Sequence, residues 1–248
     1  MTAEHVFGDL LRKSGFNGEV IREIIPGDGA QPIIQKGGPF SKKLPIACLS
    51  CSTGWMSKLE EAAMPLLLAM FNAGGASVEL DADAQLVLAQ WAFKTAAVAA
   101  QVTGSDPFPA AHRTEFYNDV EPPKHVHLRI GTASMTNESH GLQLAGYRFE
   151  PRVATVSAAG QSVSFPCYRV TFRLINVVFD IVGYVTDDVE MQIEPDEALA
   201  TELLPLWPPC EPRIWWPPTG SLDASGGLAG LDTAQLVGIT TFLPTSES

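Results

Sequence analysis

At 248 residues, 46% of them hydrophobic and 18% charged, the chain has enough apolar surface for one large domain or two small ones and is no disordered tail. A formal net charge of −12 repels phosphate backbones, so nonspecific nucleic-acid binding needs a local basic patch; Arg12-Lys13, Lys36 and Lys42-Lys43, all near the start, are the candidates. No apolar run approaches the ~20 residues that span a bilayer, the opening Met1-Thr2-Ala3-Glu4-His5 lacks a charged region followed by an apolar core, and Cys167 and Cys210 lie far from Cys48 and Cys51, unlike a secreted disulfide framework; the expectation is a cytoplasmic, reducing setting with no membrane partner.

In chain order, His5 to Lys13 carries a short helical stripe (Val6, Phe7, Leu10, Leu11), and Gly18 to Ile25 leans toward strand. Pro26-Gly27-Asp28-Gly29 breaks the chain, and residues 30–43 read as an extended loop leading into a strand that ends at Cys48-Leu49-Ser50-Cys51. Trp55, Leu59, Ala62, Ala63 and Leu66 then recur at helical spacing, with Ser52 or Thr53 as the expected N-cap, Pro65 as the expected kink and Asn72-Ala73-Gly74-Gly75 as the stop. A second, alanine-rich helix starts at Asp81 or Asp83, contains Trp91 and Phe93, and is apolar on most sides, so it should be buried.

Prolines make 104–124 a connection to a second part. From His125 on, Val126-Leu128-Ile130, Leu142-Leu144, Val163-Phe165, Val170-Phe172-Leu174 and Val177-Phe179-Ile181 alternate as strands of an antiparallel meander, with Asn176 at a hairpin turn. Residues 205–218, with six prolines and three tryptophans, should be irregular and wrap a sheet face, burying Trp207, Trp215 and Trp216; the Gly- and Ser-containing tail should be exposed. The expected fold is α+β: an N-terminal treble-clef-like and helical part, 1–110, then an antiparallel β-rich part, 125–248.

Two cysteines on one tight turn are half of a structural zinc site, which closes with four ligands. The same spacing also suits a redox pair or two small buried side chains, although no thioredoxin-like βαβ pattern surrounds it. An acid next to a histidine, Glu4-His5, can hold a divalent metal and take a proton from water.

The order Thr2-x-Glu4-His5-Val6, then Cys48-x-x-Cys51-x-x-Gly54-Trp55-Met56-x-x-Leu59-Glu60, resembles the HNH endonuclease-like proteins of bacteria and their phages. Gln90-Trp91-Ala92-x-Lys94-Thr95 and the stretch from Trp207-Pro208 to Trp216-Pro217-Pro218 resemble one subgroup of that family. The resemblance implies a treble-clef zinc fold supporting a ββα-metal nuclease site acting on DNA. His5 would be the general base, Glu4 a metal-side carboxylate beside a divalent ion such as magnesium, and Cys48 and Cys51 two of four ligands to structural zinc. Two departures stand out. The family places another Cys-x-x-Cys before the acid-histidine pair, and its usual asparagine or histidine after the second knuckle is replaced by Ser52-Thr53, residues suited to capping or site support. A truncated start or a decayed site is the expectation, and a catalytically inactive module that binds a protein partner is the rival reading.

His125 and His127, two apart on a strand, share a face and can bind metal, but such pairs are mostly half-exposed strand residues. His112-Arg113 and His140 read as solvated loop residues, and Asp187-Asp188-x-Glu190 as a solvated turn. P-loop, dinucleotide, nucleophile-elbow and His-Glu-x-x-His patterns are absent, which removes those enzyme classes.

Overall fold

The structure, a computed structural model, describes residues 2–5, 19–24, 33–37, 43–101, 108–133, 143–158, 161–186, 190–194, 201–222 and 237–241. The chain is α+β, with helices concentrated early and antiparallel strands late. Four strands come first: β1 (Thr2–His5), β2 (Glu19–Ile24), β3 (Ile33–Gly37) and β4 (Lys43–Ala47). β3 lies within the stretch expected to be loop, where Ile33 and Ile34 supply the β-branched side chains that favour a strand. His5, expected to open a helical stripe, ends β1 instead; the rest of that stripe lies outside the described residues.

A single helical turn, Leu49–Cys51, follows β4, then a π turn, Ser52–Met56, and helix α1 (Ser57–Phe71). The cap is Cys48, whose Sγ accepts the Cys51 N–H at 3.1 Å, and not Ser52 or Thr53. Both of those lie inside the helical run, and Thr53 Oγ1 donates back to the Leu49 carbonyl at 2.8 Å. The kink falls at Gly54 (φ −97, ψ −111), the residue with least cost for leaving helical geometry, while α1 continues through Pro65. Pro65 and Glu61, whose carbonyl loses a donor to the proline, are both exposed, so water can replace the missing bond. The expected stop holds: the Asn72 side chain donates to the Leu68 carbonyl, and Gly74 and Gly75 take positive φ.

β5 (Val78–Asp81) leads into α2 (Ala82–Ala100), where the Asp81 carboxylate accepts the Ala84 N–H at 2.9 Å as the expected cap. α2 is buried on most sides, as its alanine-rich sequence indicated. The 104–124 connection, expected to be a linker, holds α3 (Ala110–Asp119), which starts directly after Pro109. A proline at the mouth of a helix costs nothing, because the first N–H groups lack intrahelical partners.

The later strands are β6 (Val126–Thr132), β7 (Gln143–Ala158), β8 (Gln161–Leu174), β9 (Val177–Tyr184), β10 (Glu190–Glu194), β11 (Leu203–Trp207), β12 (Arg213–Trp216) and β13 (Val237–Thr241). Seven strands form the main sheet in the order β11-β6-β9-β8-β7-β2-β3, antiparallel except where β2 lies parallel to β7. A two-residue turn, Ile175-Asn176, joins β8 to β9. Cross-strand register puts Phe172 opposite Phe179 and Val170 opposite Ile181 on the face that meets the helices; Trp91 of α2 packs against Phe172 and Phe179 at ring distances of 6.0 and 5.7 Å. The alternate positions Arg129, Arg169, Thr171 and Asp180 share the other face.

The proline-tryptophan segment is irregular only in part: β11 ends within it and β12 lies inside it. Pro205 is tolerated because β11 is an edge strand that, among the described residues, pairs only with β6, with a register shift beside the proline. β12 then pairs with β5, and the Gln85 side-chain amide donates to the Leu80 and Glu211 carbonyls, tying α2 to this segment. Trp216 is buried and Trp207 half-buried, but Trp215 is 55% exposed, contrary to its expected burial, because β12 turns alternate side chains outward. One core runs from Met56 and Trp91 through Phe172 to Trp216, so the parts expected as 1–110 and 125–248 share a core, and β2 and β3 share a sheet with β7. No helix among the described residues is long and apolar enough to cross a membrane.

Candidate functional site

β1 and β4 pair antiparallel, with Glu4 opposite Leu44 and His5 opposite Lys43, and β4 runs straight into the Cys48–Cys51 turn and the helix beyond it. The backbone order is therefore strand, strand, helix. His5 ends β1 and pairs with Lys43, the first residue of β4, at the end of the pair away from the cysteines. The side chains of Glu4 and His5 lie outside the described residues.

Cys48 is exposed and Cys51 half-buried, and in the structure they form a disulfide with Cα atoms 5.2 Å apart. The sequence left zinc ligation, a redox pair and two small buried side chains open; the pair as described offers no free thiolate. Two sulfurs supply half of a structural zinc set, and among the described residues no group of three or more His, Cys, Asp or Glu is placed to hold a metal ion. The described donors therefore fall short of a closed zinc site. Ser50 Oγ lies 3.1 Å from Cys48 Sγ. Ser52 is half-buried and Thr53 exposed beside the pair, both inside the helical run.

Next to the disulfide opens a cavity of about 570 Å³. Its floor is apolar: Trp55 meets Phe116 edge-on at 5.7 Å, and Phe93 lies 4.8 Å from Phe116. Cys48 and Cys51 stand on one side and Arg113 and Tyr117 of α3 on another, with Tyr117 58% exposed to solvent. The Trp55 indole N–H is buried without an acceptor among the described residues. Lys94, also on the wall, is 2% exposed and ion-paired with Glu60.

α3 is held by His112, expected to be a solvated loop residue and found buried at 3% exposure. Its Nδ1 lies 2.8 Å from the Tyr168 hydroxyl. Burial pulls the His112 pKa below its ordinary value, with His125 adding to the fall while Glu115 and the Tyr184 backbone oppose it. Burial likewise pushes the Tyr168 phenol well up, so both groups are neutral near pH 7.

His125 and His127 each pack their rings on Tyr184, at 4.7 and 6.3 Å. Arg113 donates to the Phe108 carbonyl at 2.9 Å. His140, Asp187 and Asp188 lie outside the described residues, and Glu190 opens β10. The cavity-lining residues of α3 were missed because prolines dominated the reading of 104–124; the signal for them was His112 and Phe116, one helical turn apart between Pro109 and Pro122. Compared with protein-family models, curated proteins and solved structures, the chain matches none.

Proposed function

We propose that the chain is an HNH-like, metal-dependent endonuclease that hydrolyses DNA phosphodiesters, with His5 as general base. The observation that supports it is the antiparallel β1–β4 pair running through the cysteine turn into a helix, the strand-strand-helix order that the sequence resemblance implies. In this reading His5 accepts a proton from the attacking water, and Glu4 is the carboxylate beside it. A divalent ion such as magnesium supplies charge neutralisation at the phosphate when bound.

The test is nicking of supercoiled plasmid with added magnesium or manganese. Wild-type protein should nick, and His5→Ala should lose about 100-fold or more of the rate while keeping its thermal transition. Undiminished nicking in His5→Ala overturns the role of His5.

A second reading, an inactive module that binds a protein partner, is supported by the apolar cavity floor and the exposed Tyr117 on its wall. Here the double variant Glu4→Ala/His5→Ala should still capture the partner in a pull-down, and Tyr117→Asp should not.

A further inference from the structure

The two sulfurs that a zinc site would claim are bonded to each other, and the described donors fall short of that site. We infer that Cys48 and Cys51 are a reversible dithiol–disulfide couple that exchanges with thiols, in which Cys48 is the sulfur attacked from solution and Cys51 the sulfur released. Three observations carry this.

The first is spacing. A separation of three residues on one helical turn leaves the Cα atoms 5.2 Å apart, within the range a disulfide bridges without backbone movement, so the bond can open and re-form in place. The second is the difference in access. Cys48, at the end of β4, is exposed, whereas Cys51 is half-buried and packs with Trp55 against the core. A thiolate approaching from water therefore meets Cys48 first. The third is the setting of the attacked sulfur. The Cys51 N–H and Ser50 Oγ both lie 3.1 Å from Cys48 Sγ, so the sulfur that faces solvent is also the one with polar groups of its own turn beside it.

The exchange balances as follows. One thiolate of a dithiol reductant attacks Cys48 Sγ, forming a mixed disulfide; the Cys48–Cys51 bond breaks, and its electron pair leaves on Cys51, which takes a proton. The second thiolate attacks the reductant's own sulfur in the mixed disulfide and expels Cys48, which is protonated in turn. Two electrons and two protons have passed to the chain, and the reductant is left as its disulfide. Because both cysteines line the cavity beside Trp55, the change of state falls at the edge of the apolar floor.

The full-length chain, equilibrated in buffers of graded reduced-to-oxidised glutathione, quenched with acid and alkylated, reports the state of each cysteine by peptide mass. The fraction of Cys48–Cys51 disulfide should rise reversibly with oxidised glutathione, while Cys210, exposed and outside the pair, stays out of it. In Cys51→Ser, one glutathione should be trapped on Cys48, with about fivefold or more adduct than Cys51 gives in Cys48→Ser. The wild-type titration needs no variant to fold. The inference is overturned if the pair stays as free thiols throughout, if the trapped adduct sits on Cys51, or if zinc leaves the protein in step with alkylation of Cys48 and Cys51. Plasmid nicking is read separately, so loss of the couple and loss of nuclease activity are distinct results.

Discussion

The His112 imidazole and the Tyr168 hydroxyl, 2.8 Å apart and both buried, join α3 to β8. The contact holds in place the helix that supplies Arg113, Phe116 and Tyr117 to the cavity. Tyr168→Phe keeps the ring but leaves His112 Nδ1 without that partner in a buried site. The expected loss is about 1–3 kcal/mol in urea unfolding, the cost of an unsatisfied buried polar group. A loss below a few tenths of a kcal/mol would show that water or another group replaces the phenol.

The same histidine sets a pH dependence. Its folded pKa lies below the ordinary 6.5, with burial as the main cause. Above that ordinary value neither state is protonated, and the contribution to stability is level. As pH falls through it, the unfolded chain takes a proton that the folded chain refuses, so stability drops, with a slope of at most about 1.4 kcal/mol per pH unit. Unfolding free energies measured between pH 7.5 and 5.5 should show this slope in the wild type and lose it in His112→Asn.

Gly183 faces Tyr168 across the β8–β9 pair, and a Cβ at that position would lie 2.2 Å from the phenol ring. Because the ring is held by His112, it cannot simply swing aside. Gly183→Ala should cost about 1–3 kcal/mol as overpacking, and nearly nothing when Tyr168→Ala has already emptied the space. Thermal melts of the two single variants and the double variant decide this; additive losses would mean that the strain comes from elsewhere.

Much of this framework was readable because each signal was local. Asp81 followed by an apolar helical pattern marked α2, and alternation through Val170-Phe172-Leu174 and Val177-Phe179-Ile181 marked the face that receives Trp91. What escaped depended on partners distant in sequence. Pro205 looked incompatible with a strand until β11 proved to be an edge strand beside β6. α3 carries only two buried residues, so its stripe was too thin to compete with the flanking prolines. Of the candidate site, the Cys48–Cys51 turn and its junction with a helix were legible, but its cap was not: a sulfur filled the role expected of the Ser52 or Thr53 hydroxyl. The cavity was illegible because α3 and the cysteine turn meet only in three dimensions.

Lys94 is fully enclosed and pairs with Glu60 of α1, which keeps partial access to water. Lys94→Met should cost about 3 kcal/mol, because the carboxylate is left part-buried without its cation. Adding Glu60→Leu removes that charge and should recover most of the loss. Chemical denaturation of the three variants checks it; a double variant as unstable as Lys94→Met would mean that the lysine's packing, not the lost pairing, carries the effect.

Asp180 is the counterion for two buried guanidiniums: Arg129 Nη2 donates to one carboxylate oxygen and Arg169 Nε to the other, each at 2.6 Å, and the Thr171 hydroxyl adds a third bond at 3.1 Å. Burial alone would push the carboxyl up, but Arg169 and Arg129 outweigh it and hold its pKa at about 2, below the ordinary 3.8. The stability this contributes is fully present above pH 3.8 and is lost as pH falls from there toward about 2, a window well below that of His112. Asp180→Asn should remove the dependence in that window and destabilise the chain by about 3–5 kcal/mol at neutral pH, since Arg129 and Arg169 both lose the buried carboxylate they pair with. Replacing Arg129, Asp180 and Arg169 together by Met, Leu and Met should cost much less than Asp180→Asn alone, because none of these three charges is then left to desolvate. If the triple variant proves the less stable, the ion cluster is worth more than the packing that would replace it, and the balance between desolvation and pairing argued for this face of the sheet is reversed.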